Sequence, residues 1–282
     1  MDVSQIEIVR PLAGGGGNAT VDLVRAGGQL WVLKCHRPRE VAAERLFQSS
    51  LREHGLPNLQ VADCSGLRPD QLLMEYVSGS PTIGGSPSLN LCRRWGEAIR
   101  DLHGIRSSEF QTLDGQGMPV LASWQDFVAE LIHKAIDRQR ERETGLPAGL
   151  LDKAALGLAK LKKFNPPEFV LTHGDLHLNN ALKRGGEVVL FDKPADVWVA
   201  PRVFDLCLIY SEAFPGALYD VNRQGDEARL SAFLEGYGDL PPEQPEWLEL
   251  FVLLRSLRRY PSPFVPELRA VIEAALDRIA RL

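Results

Sequence analysis

Thr172-His173-Gly174-Asp175-Leu176-His177-Leu178-Asn179-Asn180 is the stretch from which the rest of the chain is read. The largely apolar residues that lead into it, Glu168–Thr172, read as a strand, and the polar cluster that follows is short and dense. Asp175 stands five residues before Asn180. A carboxylate and an amide so spaced on one loop supply two groups that phosphoryl transfer requires. Asp175 can accept the proton of a hydroxyl, and the carbonyl oxygen of Asn180 can ligate Mg²⁺. His173 is read as a brace that holds the loop through hydrogen bonds.

A second motif, whose Asp192 lies 12 residues beyond Asn180, follows across the short turn Lys183-Arg184-Gly185-Gly186. Val188-Val189-Leu190-Phe191 reads as part of a strand, Glu187–Phe191, that ends in Asp192-Lys193-Pro194. A lone Asp at a strand end commonly caps a turn. At this distance from Asn180 it is also a natural metal ligand, and Asp192 could hold a Mg²⁺ that bridges nucleotide phosphates.

Outward from these motifs the chain divides by pattern. Toward the N-terminus, Ala19–Arg25 and Leu30–His36 read as a hairpin around Ala26-Gly27-Gly28-Gln29, preceded by the glycine run Gly14-Gly15-Gly16-Gly17-Asn18. Pro38–His54 reads as a helix stopped by Gly55-Leu56-Pro57, and Leu72–Val77 as a buried strand stopped by Ser78-Gly79-Ser80-Pro81. Thr82–Pro87 resembles a linker, which puts a boundary near residue 80. Beyond it, Leu89–Ile105, Trp124–Arg142, Leu150–Lys163, Glu227–Gly236, Trp247–Tyr260 and Pro266–Leu282 carry helical periodicity or composition, with one short β island around the two motifs.

His173–Asn180 resembles the HGDxxxxN motif of the aminoglycoside phosphotransferase and choline kinase-like superfamily. That superfamily has His-Gly-Asp where protein kinases have His-Arg-Asp, with the same Asp-to-Asn spacing. The resemblance runs from about residue 5 to about residue 240. It implies an α+β, bilobal protein-kinase-like fold. Residues 1–80 would be a β-rich nucleotide-binding lobe with one key helix, and residues 81–282 a mainly helical lobe for catalysis and substrate binding. It further implies ATP or GTP as co-substrate, Mg²⁺ held by Asn180 and Asp192, Asp175 as catalytic base, and a small-molecule hydroxyl as acceptor.

The same resemblance places supporting residues. Gly16, Gly17 and Asn18 fall in the loop that covers the nucleotide, and Lys34 falls where a lysine holds the α- and β-phosphates. Glu44 matches the helix glutamate that pairs with this lysine. Val41, Glu44, Phe47 and Leu51 lie near one helical stripe, so Glu44 faces inward and requires a partner, ahead of Glu40 and Glu53. Met74-Glu75-Tyr76-Val77 looks like the hinge, where the backbone of Glu75 and Val77 would meet the purine edge, although a plain core strand explains these side chains as well. His103 and Asp205 read as structural, with Asp205 bracing the active-site loop. The chain departs from the family after Asp192, where Lys193 and Pro194 replace the usual aromatic residue and acids.

Composition narrows the classes. The 282 residues are 44% hydrophobic and 24% charged, enough for one large domain or two lobes. The net charge of −5 gives no support to nucleic-acid binding. No stretch approaches about 18 uninterrupted apolar residues, and the first residues lack a signal-peptide pattern. The four scattered cysteines read as reduced thiols. A cytoplasmic protein that acts without nucleic acid or membrane is therefore expected; oligomeric state is not indicated.

Two other function classes compete with this one. His173, Asp175 and His177 form an HxDxH cluster that could ligate a transition metal in a hydrolase, but the chain has six histidines in total and no second cluster to complete such a site. A catalytically inactive kinase fold kept for binding is the other; Lys34, Glu44, Asp175, Asn180 and Asp192 are all present, which opposes it. A protein kinase is disfavoured because no APE-like element follows Asp192. The acceptor stays open. Glu212, Asp220, Asp226 and Glu227 could line a pocket for a cationic acceptor such as an antibiotic, whereas Arg255, Arg258 and Arg259 share a face that suits an anionic one. The simplest account of either set is a solvated helix surface.

Overall fold

Alternation in the first strands decides which way Lys34 points. The computed structural model describes residues 6–12, 19–64, 66–78, 87–141, 146–213, 226–238, 245–260 and 268–281. Strands β1 (Glu7–Pro11), β2 (Thr20–Ala26), β3 (Gln29–Cys35) and β4 (Gln71–Glu75) form an antiparallel sheet in that order. β3 runs against β4 from Trp31↔Glu75 to Cys35↔Gln71, with Lys34 opposite Leu72. Successive side chains alternate faces. Val24, Trp31, Leu33 and Leu73 therefore pack on one face, and Leu72 and Met74 on the other. Lys34 shares the face of Leu72 and points toward the following helix.

That helix, α1 (Pro38–Glu53), has proline in its first turn, where no intrahelical N–H is lost. Val41, Glu44, Phe47, Gln48 and Leu51 are its buried stripe. Phe47 and Leu51 enter the main core, while Val41 joins Leu59, Leu72, Met74, Leu182 and Val189 in a smaller cluster. The last two belong to a hairpin far along the chain, so this cluster fastens the N-terminal sheet to the segment that carries Asp192. Each large apolar side chain so buried contributes about 1.5–3 kcal/mol.

The remainder is helical with two further sheets. Helices α2 (Leu89–Leu102), α3 (Trp124–Glu141), α4 (Ala148–Leu158), α5 (Val203–Leu208), α6 (Asp226–Tyr237), α7 (Pro245–Arg259) and α8 (Leu268–Ile279) surround the main core. The side chain of Ser88 caps α2, accepting from Leu91 N at 3.3 Å. α2 and α6 meet backbone to backbone: a Cβ added at Gly96 would lie 2.1 Å from Phe233 O, and one at Gly236 would lie 1.9 Å from Arg93 O.

One β island was expected here; the structure has two. β5 (Arg106–Ser107), β6 (Gln111–Leu113), β7 (Pro119–Leu121), β8 (Phe169–Leu171) and, later in the chain, β11 (Val197–Ala200) form one sheet in the order β5-β8-β11-β6-β7. β9 (Ala181–Arg184) and β10 (Glu187–Leu190) form a separate hairpin. Lys183 and Arg184 are thus strand residues, not turn. These strands are two to four residues long, too short for a period of two to register in sequence. The helix expected from Leu150 to Lys163 starts at Ala148 and tightens into a 3₁₀ turn over Ala159–Lys163. The expected boundary near residue 80 and linker Thr82–Pro87 fall largely in 79–86, outside the described residues. None of the four cysteines is joined in a disulfide. No described helix is long and apolar enough to cross a membrane.

Candidate active site

β8 delivers the chain to Thr172 and His173, which are fully buried. The His173 ring donates from Nε2 to Phe191 O at 2.8 Å and accepts at Nδ1 from Asp175 N at 3.3 Å. Phe47 packs edge-on against it, centroids 5.4 Å apart. Burial lowers the His173 pKa, so the ring that ties the loop to the β10 end is uncharged. Beneath it, His173 N and Gly174 N donate to Asp205 Oδ2 and Oδ1 at 2.6 and 2.7 Å. Gly174 has φ +85°, a conformation that lets two consecutive N–H groups face one carboxylate. Asp205 also meets His103 Nε2 at 3.2 Å, and His103 Nδ1 meets the Tyr237 hydroxyl at 2.9 Å. Burial alone would raise the Asp205 pKa; the His103 hydrogen bond, both histidines and the His173 N–H outweigh it and hold it low.

Asp175 itself stands in a crowd of donors. Its Oδ1 lies 2.9 Å from Arg255 Nη2, 3.3 Å from Arg259 Nη2 and 3.1 Å from His177 Nε2. His177 Nε2 is also 2.5 Å from Arg259 Nη2, so it can donate to the carboxylate or accept from the guanidinium, not both. Burial raises the Asp175 pKa, but His177, Arg255 and Arg259 together pull it well below the usual carboxylate range. Asn180 fixes the other side of the loop. Its Nδ2 donates to Asp175 O at 2.9 Å and reaches Asp175 Oδ2 at 3.3 Å. The amide nitrogen is thereby anchored, which leaves Oδ1 as its ligating atom.

Asp192 follows β10 and is the one described non-glycine residue with positive φ, at +65°. Asp tolerates this region better than most residues. Its Oδ1 pairs with Lys34 Nζ, which arrives from β3 and is itself 7% exposed. Burial lowers the Lys34 pKa, but Glu44, Asp192 and Glu40 more than reverse this, so the ammonium is held charged. Glu44 is buried and inward, but its hydrogen-bond partners are not the lysine. Gln48 Nε2 donates to Oε1 at 2.9 Å and Lys193 N to Oε2 at 2.6 Å. The expected Lys34–Glu44 contact is thus replaced by Lys34–Asp192. Two N–H donors already satisfy the Glu44 carboxylate, which acts on Lys34 through its charge.

Lys193, a departure from the family pattern, lies entirely beneath the loop. Its ammonium donates to His173 O at 3.0 Å, to Pro194 O at 3.4 Å and to Val197 O. Three carbonyls match its three N–H groups. Burial pushes its pKa down to about 8.

Of the remaining expected residues, Glu75 ends β4 and its carboxylate accepts from Arg184 Nη1 at 3.0 Å and Gln60 N at 3.1 Å. Val77, two residues on, packs with Phe191 against the cluster of Leu72, Met74, Leu182 and Val189. Gly16, Gly17 and Asn18 lie outside the described residues, as do Asp220 and the side chains of Glu212 and Asp226. The structure therefore brings together Lys34, Glu44 and Asp192 in one group and Asp175 and Asn180 in another. The His173, Asp175, His177 metal cluster is not assembled: both His173 ring nitrogens are engaged, and no described set of three or more His, Cys, Asp or Glu residues could hold a metal ion. Arg255 and Arg259 are not merely solvated surface; their reach to Asp175 was signalled in sequence only by their helical spacing.

Residues 8–251 match the family described as APH, phosphotransferase enzyme family. The chain belongs to that family. Solved structures share the α+β, protein-kinase-like fold of this APH chain. A protein assigned as a fructosamine-3-kinase from Thermobifida fusca is 20% identical with a TM-score of 0.68, covering 98% of this chain and 95% of the other. A thermostable aminoglycoside phosphotransferase APH(4)-Ia, in a ternary complex with AMP-PNP and hygromycin B, is 16% identical with a TM-score of 0.63 and coverages of 98% and 93%. The amicoumacin kinase hAmiN, in complex with AMP-PNP, Ca²⁺ and Ami, is 16% identical with a TM-score of 0.62 and coverages of 99% and 89%. No curated protein matches the chain.

Proposed function

We propose that this APH-family phosphotransferase is a kinase that moves the γ-phosphoryl group of ATP or GTP onto a hydroxyl of a small molecule, a metabolite or an antibiotic. The supporting observation is the placement of Asp175 and Asn180 on one loop, tied to each other and braced by Asp205 and His173. Lys34 and Asp192 form the opposite group, and relatives of the same fold carry AMP-PNP.

The donors fit a hard divalent cation. The Asp192 carboxylate is 42% exposed, and the anchored Asn180 amide turns an oxygen to ligation. Mg²⁺, when bound by Asn180 and Asp192, would neutralise charge on the phosphates. Asp175 receives the acceptor proton as the hydroxyl oxygen bonds to the γ-phosphorus and the β,γ-bridging oxygen leaves with the nucleoside diphosphate. Lys34 holds phosphate oxygens, with Glu44 keeping the lysine charged. Glu75 and Val77 offer backbone groups to the base, and Gly16, Gly17 and Asn18 cover the phosphates. The rate gain is mostly positioning and charge stabilisation.

The test is Asp175→Asn. Phosphoryl transfer should fall by about 10²- to 10⁴-fold, the range for a positioned general base, while calorimetric MgATP binding persists. Wild-type turnover by the variant would remove Asp175 from the chemistry. Well-folded wild-type protein that binds neither ATP nor GTP would leave a non-catalytic binding fold as the better account.

A further inference from the structure

Two consecutive residues of α1, Arg39 and Glu40, hold both main-chain polar groups of one distant residue. Glu40 Oε2 accepts from Ala195 N at 2.8 Å, and Arg39 Nη2 donates to Ala195 O and, at 2.9 Å, to Leu113 O. One helical turn on, Glu44 Oε2 accepts from Lys193 N at 2.6 Å. Glu40 and Glu44 stand four residues apart and so share a face of the helix. The residue between their two donors is Pro194, which has no N–H to place. The short run after Asp192 is thus laid along α1 before β11 begins at Val197.

The first turns of α1 are seated on a second side as well. Gly117, in the turn between β6 and β7, has φ +77°, and a Cβ added there would lie 2.6 Å from Arg39 O and 2.9 Å from Ala42 Cβ. The Asp114 carboxylate shapes that turn, accepting from Gln116 N at 2.8 Å and Met118 N at 2.9 Å. Asp192, immediately before the gripped run, keeps φ at +65°. A backbone conformation of this kind persists where its surroundings over-determine it. Lys34 fixes the tip of the Asp192 side chain, and α1 fixes the backbone just beyond it.

We propose that Arg39 and Glu40 are positioning residues for the divalent cation: by gripping Ala195 they hold the Asp192 carboxylate where it meets the ion, so that α1 and this ligand move as one piece. This rests on the phosphotransferase reading above, in which Asp192 ligates Mg²⁺ beside the nucleotide. Both residues act through the main chain of Ala195. The part played by Glu40 is to accept a hydrogen bond, which an amide oxygen can also do. Its charge is the weakest of the three acids that act on Lys34, after Glu44 and Asp192. Glu40→Gln therefore separates the hydrogen bond from the charge.

Calorimetric ATP binding, measured without metal and over a range of Mg²⁺, reads this without an acceptor. Full-length wild type, Arg39→Met, Glu40→Ala and Glu40→Gln would be compared, with the melting temperature followed for each. Arg39→Met and Glu40→Ala should raise the Mg²⁺ concentration for half-maximal tightening by roughly 10-fold, the lower end of what losing a partner behind a metal ligand costs, while metal-free ATP affinity stays within about twofold. Glu40→Gln should recover most of the loss. Amide hydrogen exchange in the wild type gives a readout that needs no variant to fold: the Ala195 N–H should be protected without nucleotide. The inference is overturned by an unchanged Mg²⁺ requirement in a folded Arg39→Met or Glu40→Ala, or by an equal fall in metal-free and metal-dependent binding. It is overturned equally by a Glu40→Gln no better than Glu40→Ala, or by an Ala195 amide that exchanges like an exposed loop. A role in stability alone would lower the melting temperature and leave the Mg²⁺ requirement where it was. Wild type that binds no nucleotide, or binds it indifferently to Mg²⁺, would be a different failure, of the kinase reading itself.

Discussion

Lys34 Nζ meets Asp192 Oδ1 across 158 residues of sequence. The contact joins the N-terminal sheet to the segment after β10. It is carried by the cluster of Leu72, Met74, Leu182 and Val189, which presses the two elements together. Lys34→Met should lower kcat/KM for MgATP by about 10²- to 10³-fold, the scale of losing one preorganised charge on the reacting phosphates. Asp192→Asn should weaken Mg²⁺-dependent nucleotide binding in calorimetry. Variants within twofold of wild type in both assays would separate this pair from the nucleotide.

Asp205 binds two loop N–H groups and His103, and it is fully buried. Asp205→Ala leaves all three donors without their acceptor and should cost about 3–5 kcal/mol in denaturant unfolding. Its folded pKa lies below the ordinary 3.8, so the carboxylate binds fewer protons folded than unfolded. Its stabilisation is complete above that value and is lost as pH falls through the depressed one. Unfolding midpoints of wild type and Asp205→Asn should therefore converge in strong acid. A gap that is constant with pH would deny the carboxylate this role.

Lys193 gives the opposite end of the pH scale. Its folded pKa of about 8 lies below the ordinary 10.5. Between these values the unfolded chain binds more protons, so this group makes the protein more stable as pH rises through the window. The difference in unfolding free energy between wild type and Lys193→Met should widen in favour of wild type from pH 8 to 10.5. A flat difference would mean the ammonium is not desolvated. Lys193→Met also unties the carbonyl of His173, so kcat should drop at every pH.

Gly96 and Gly236 allow α2 and α6 to touch, and α6 carries Tyr237 to His103. An added methyl at either glycine meets a backbone oxygen at 2.1 or 1.9 Å. Gly96→Ala and Gly236→Ala should each destabilise by about 1–3 kcal/mol or more by overpacking, seen as a lower melting temperature. Unchanged melting would show that the helices can part without cost.

The α+β, protein-kinase-like class was legible because its signals are local. His173–Asn180 is contiguous, the spacing to Asp192 is short, and the stripe of Val41, Glu44, Phe47 and Leu51 is one helix turn after another. Period-3.6 and period-2 burial leave their trace in neighbouring residues whatever the rest of the chain does. The short strands β5, β6, β7 and β11 left none, because their partners are supplied by tertiary contact. The chemical groups and the elements that bear them are written in the order of residues. Their partners come from the packing of distant segments: Lys34 with Asp192 rather than Glu44, and Asp175 with Arg255 and Arg259. Electrostatic pairing depends on distance and desolvation, and for residues some 80 to 158 positions apart both are set by how the core packs.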